Sequence, residues 1–117
     1  MIPLSPEQIA TLNYRYDDYA RYDENARKTP GNPLSFRDAD GDTALHMAAI
    51  AGDIEAVSWL LNAGIDPNAL GDMGRTALHW AIDKQNKGMA DLLVSFGAQT
   101  DIVDDFGIPP DLSVFDD

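Results

Sequence analysis

The chain has 117 residues and no cysteine, with eight Lys plus Arg against twenty Asp plus Glu and a formal net charge of -12. That length suits a single domain, and the missing thiols exclude disulfide staples, Cys-containing zinc sites and thiol chemistry. The charge argues against nucleic acid as a partner, because phosphate contact needs a basic patch and the only close basic pairs are Arg27-Lys28 and Lys84 with Lys87.

A hydrophobic fraction of 44% is enough for a packed core. No apolar run approaches the roughly 18 residues of a membrane span, and Met1-Ile2-Pro3-Leu4-Ser5 has neither the basic stretch nor the apolar core of a secretory leader. A cytoplasmic protein without membrane association, monomeric on its own, is expected.

In chain order, Ser5-Pro6-Glu7-Gln8 forms a capping box with proline at the first helical position, and Ile9, Leu12, Tyr16 and Tyr19 follow at helical spacing. This predicts a helix from Pro6 to about Tyr22, fraying toward Arg27. Thr29-Pro30-Gly31-Asn32-Pro33 is a loop. Beyond it, Gly41-Asp42-Thr43-Ala44-Leu45-His46 recurs 33 residues on as Gly74-Arg75-Thr76-Ala77-Leu78-His79. The register continues through Ala48 and Ala81, Leu60 and Leu93, Gly64 and Gly97, and one step further takes Gly74 to Gly107. Thr43 and Thr76 are N-caps for first helices, Gly52 ends the first of these, and Asp53 caps a second helix from Ile54 to about Asn62. Ala48, Ala49 and Ala81 allow close helix approach, while Leu45, Val57, Leu60, Leu61, Leu78, Met89, Leu92 and Leu93 supply the apolar stripe.

A 33-residue period carrying Thr-x-Leu-His-x-Ala resembles the ankyrin repeat, a β-turn followed by two antiparallel helices, from Arg37 to about Pro110. The resemblance implies an all-α solenoid of helix-turn-helix units with β-turn tips, closed by an N-terminal helical cap and a truncated C-terminal cap. The expected divisions are a cap or degenerate repeat at 1–36, repeats at 37–69 and 70–102, and a partial repeat at 103–117. Three departures stand out. Ala44 and Ala77 replace the proline after threonine. Gln85 stands where the inter-helix glycine belongs, so Asn86 is the expected left-handed residue and Gly88 falls inside the next helix. Pro109 replaces the third threonine, leaving room for one short helix, about Pro110 to Phe115.

His46 and His79 are the only histidines. The resemblance makes them structural, bonding turn backbone and tying neighbouring repeats. Asp38-Ala39-Asp40-Gly41-Asp42 imitates the start of a calcium loop, but the glycine is misplaced and Ala49 stands where a bidentate Glu is needed. No phosphate loop or nucleophile elbow occurs. No enzyme activity, metal or cofactor is expected; a hydrolase using Asp and His would need the two types to converge, which repeat geometry disfavours.

In the resembled family, partner contacts come from turn tips and the exposed side of first helices. These positions are Asp40, Asp42, Met73, Arg75, Phe106 and Ile108 at the tips, and Met47, Ile50, Ala51, Trp80, Asp83 and Lys84 on the helices. From Gly88 onward there are seven aspartates and no Lys or Arg, so Asp101, Asp104 and Asp105 make that end negative. The expected function is protein binding, specifically inhibition of a basic effector in the manner of an immunity protein or antitoxin, with a cytoplasmic scaffold or regulatory adaptor as the alternative.

Overall fold

A computed structural model describes residues 1–16 and 32–115. Five α-helices and no strand occur among them: α1 (Pro6–Tyr16), α2 (Ala44–Ala51), α3 (Ile54–Asn62), α4 (Ala77–Asp83) and α5 (Lys87–Ser95). Short 3-10 turns cover Asp72–Gly74 and Leu112–Phe115.

The capping box of α1 forms as its sequence requires: Gln8 N–H donates to Ser5 Oγ at 3.1 Å and Ser5 N–H to Gln8 Oε1 at 2.9 Å. The part of this helix predicted beyond Tyr16, and most of the Thr29–Pro33 loop, lie outside the described residues. Thr43 and Thr76 cap α2 and α4, and in both the residue completing the box is histidine instead of the usual Glu or Gln.

Gly52, at φ 71°, ends α2, and Asp53 then starts α3 by accepting from Ala56 N–H. In the second unit the expectation for the turn is corrected. Gln85, not Asn86, takes the left-handed conformation at φ 53°. Asn86 has φ −96° and caps α5 through its side chain, which accepts from Met89 N–H at 3.1 Å. The turn therefore keeps its register, because Asn86 N–H bonds Ala81 O at 2.9 Å as Asp53 N–H bonds Ala48 O. The terminal helix is also shorter than expected, a 3-10 turn beginning at Leu112.

The helices pack in two layers, α2 on α4 and α3 on α5, with α2 also packed on α3, α4 on α5, and α1 set against α2. Leu12, Leu45, Leu60, Leu78, Met89 and Leu93 are fully buried between them. Each such side chain contributes about 1.5–3 kcal/mol over its exposed state. Ala44, Ala48, Ala49, Ala77 and Ala81 are buried with them, and their small size lets α2 and α4 approach.

Candidate functional site: turn tips and first-helix face

Three turns project at the same register. Their closing bonds run from Asp38 N–H to Asp42 O at 3.0 Å, Gly71 N–H to Arg75 O at 2.8 Å, and Asp104 N–H to Ile108 O at 3.0 Å. Gly41, Gly74 and Gly107 turn the chain at φ 86°, 67° and 76°. The residues just before them, Asp40, Met73 and Phe106, therefore stand at equivalent tips. Met73 itself has φ 59°, a left-handed conformation that costs a non-glycine residue about 1 kcal/mol.

Successive tips are tied to one another. Asp42 Oδ1 accepts from Asp72 N–H at 2.9 Å, and Asp105 N–H donates to Met73 O at 2.9 Å. Arg37 donates from Nη1 to Gly41 O at 2.6 Å and to Leu70 O at 2.7 Å.

The histidines complete this frame. His46 Nδ1 accepts from Thr43 N–H at 3.0 Å, which places the proton on Nε2, and Nε2 donates to Ala69 O and Arg75 O at 2.9 and 3.0 Å. His79 repeats the pattern with Thr76 and Ile108 O. Burial holds the His46 imidazole below its ordinary pKa, so the neutral tautomer is the one the frame requires. Both ring nitrogens of each histidine are thus occupied, and no group of three or more His, Cys, Asp or Glu is arranged to hold a metal among the described residues.

The expected contact residues separate into two sets. Asp40, Asp83, Asp101 and Asp105 are exposed, as are Met73 at 37%, Phe106 at 71% and Ile108 at 57%. Asp42 and Asp104 are buried and serve the turns. Asp104 Oδ1 accepts from Phe106 N–H and Ile108 N–H, and these bonds hold its carboxyl below the usual range. The carboxyl of Asp42 is instead pushed up by burial. On the helix face Trp80 is half-buried, as is Met47 at the corresponding place of the first unit.

Arg75 links the sets in a way its sequence position did not announce. Its guanidinium carbon lies 4.4 Å from the Trp80 ring centroid. Nη1 is 2.6 Å from Asp83 Oδ2, and Nε is 3.8 Å from Asp104 Oδ2. Trp80 and Asp83 lie five and eight residues further along in the same unit, whereas Asp104, twenty-nine residues on, is brought in by the stacking of the next turn.

Tandem helix-turn-helix units joined by projecting turns and stacked through a shared core define a helical repeat solenoid. The family model for ankyrin repeats, in three copies, matches residues 21–104, and the chain belongs to the ankyrin repeat family. Relatives include a putative ankyrin repeat protein of Fowlpox virus, 42% identical over 49% of this chain and 10% of its own length. The human neurogenic locus notch homolog protein 2 is 31% identical over 77% of this chain and 4% of its own length. The NF-kappa-B inhibitor cactus of Drosophila melanogaster is 42% identical over 52% of this chain and 12% of its own length. The chain thus spans about an eighth or less of the length of each of these three relatives. Ankyrin repeats are protein–protein interaction modules, and that level of function applies here. No helix among the described residues is long and apolar enough to cross a membrane.

Proposed function

We propose that the chain binds a basic protein through its turn tips and the adjoining first-helix face, and that it inhibits this partner by covering it, as an immunity protein or antitoxin does. The observation that carries this is the tip row itself. Met73 and Phe106 expose large apolar side chains at equivalent positions of a frame that needs only a turn there, within a chain of net charge -12. Exposed apolar anchors on a strongly acidic chain suit a partner with basic surroundings and a complementary pocket. The strained backbone at Met73 points the same way, since a glycine or asparagine would occupy that conformation at less cost. A relative named as an inhibitor, cactus, supports the inhibitory part only by analogy.

The test is a panel of immobilised peptides, Lys/Arg-rich with one central Leu or Phe, set against acidic and apolar-free counterparts of equal length. Salt-sensitive binding confined to the basic, anchor-bearing peptides is expected, weakened by Phe106→Ala and by neutralising Asp101 and Asp105. Binding that ignores peptide charge would end the proposal. A full-length partner that is bound yet fully active would identify an adaptor in place of an inhibitor.

A further inference from the structure

The two units diverge at one cluster. The counterparts of Arg75, Trp80 and Asp83 in the first unit are Asp42, Met47 and Ile50, so the repeat folds without an arginine stacked on an indole. In the second unit an aromatic face and the Asp83 carboxylate, joined by Asp104 of the next turn, surround one flat cation, a combination that matches guanidinium in shape and charge better than it matches ammonium. The cage opens to solvent on one side: the Arg75 and Asp104 side chains are 13% and 4% exposed, while that of Asp83 is 48% exposed. Asp104 keeps one oxygen for the turn and directs the other at the cage. Arg75 Nε is buried without a hydrogen-bond partner among the described residues, 3.8 Å from Asp104 Oδ2, so Arg75 leaves the cage incompletely satisfied. The backbone of Arg75 is anchored apart from its side chain, its carbonyl accepting from His46 Nε2 and Gly71 N–H. The turn is therefore held independently of where that side chain lies.

We infer that Trp80, Asp83 and Asp104 form an arginine-acceptor cage, filled by the chain's own Arg75 in the free protein and entered by an arginine of the basic partner in exchange for it. This rests on the basic-partner proposal and narrows it: the partner presents arginine, and Arg75 sets the threshold an incoming side chain must exceed. A partner lysine, a compact and strongly hydrated charge, gains less from the indole face and displaces Arg75 poorly.

Replacing Trp59 by Phe leaves Trp80 as the sole indole, and its emission can then follow titration with N-acetyl-arginine amide and, as control, N-acetyl-lysine amide. Saturable change with the arginine compound is expected, about tenfold tighter when Arg75→Gln empties the cage, about tenfold weaker for the lysine compound, and abolished by Asp83→Asn. Equal affinity with and without Arg75, or no preference between the two compounds, overturns the cage. Circular dichroism checks that Arg75→Gln keeps its helices. If it does not, the unsubstituted chain decides: the Arg75 Nε–H resonance should move toward that of a free guanidinium during the arginine titration, and a resonance that stays put refutes exchange. Salt-sensitive binding of all-lysine peptides alongside an inert cage would leave the basic-partner proposal standing and remove this one alone.

Discussion

At the residue scale the histidines carry more of the structure than their number suggests. Each joins its own helix N-terminus to the turn of the next unit, so removing one side chain opens two kinds of bond. His79→Ala should lower stability by about 1–3 kcal/mol, since Thr76 N–H loses its acceptor and Ile108 O one of its two donors in a buried setting. Urea melts measure this, and peptide binding per folded molecule should be unchanged; normal stability with lost binding would move His79 to the interface. A pH dependence follows from His46. Its folded pKa is depressed by burial, so the unfolded chain binds the proton first as pH falls. Its contribution is fully present above the unfolded value of about 6.5 and declines as pH drops from there toward the folded pKa. Asp42 acts with the opposite sign at lower pH, because its raised carboxyl takes up a proton before the unfolded one does. Melts between about pH 7.5 and 5 should show a slope that His46→Gln removes, the carboxylates titrating mostly below that window.

At the element scale, the repeat, its caps and the structural role of the histidines were legible in the sequence, because each follows from local rules: Thr before an apolar helix, Gly after it, a fixed period between copies. What was not legible depended on bonds across units or on which of two neighbours would yield. Gln85 and Asn86 compete for one left-handed position. Asn86 is the better left-handed residue but also the better cap, and the cap prevails because Met89 N–H needs an acceptor, leaving Gln85 at φ 53°. Gln85→Gly should accordingly stabilise the chain by about 1 kcal/mol less the entropy glycine adds to the unfolded state, read as a raised midpoint in urea. An unchanged or lowered midpoint would show that the strain is absorbed elsewhere. Asp42 and Asp104 were assigned to the contact surface for a related reason. Their exposure seemed implied by turn positions, yet Asp42 accepts an amide thirty residues away and Asp104 holds its own turn closed. Asp53 shows the same economy between elements: it caps α3, accepts the Tyr16 hydroxyl at 2.5 Å and pairs with Arg15 at 2.7 Å, docking α1 on the first unit. Burial alone would raise its carboxyl, but the bonds from Tyr16, Ala56 and Arg15 outweigh that and hold it below the usual range.

At the scale of the whole molecule, charge and apolar anchors act on different steps of binding. A net charge of -12, with seven aspartates and no cation beyond Lys87, makes a field that reaches further than any contact. Met73, Phe106 and Ile108 act only once they touch. Long-range attraction therefore governs encounter, and desolvated anchors govern residence. The two can be separated with substitutions that spare the frame: Asp101→Asn with Asp105→Asn alters the field without disturbing Asp104, whose carboxylate closes a turn. Against the basic, anchor-bearing peptides these changes should slow association about threefold to tenfold at low salt and flatten its salt dependence, with little change in dissociation. Phe106→Ala should do the reverse, hastening dissociation about tenfold while association holds. Surface-plasmon kinetics at several ionic strengths read both constants at once. Association of the unsubstituted chain that is indifferent to salt would mean that the acidity serves solubility alone, and the basic partner would lose its principal support.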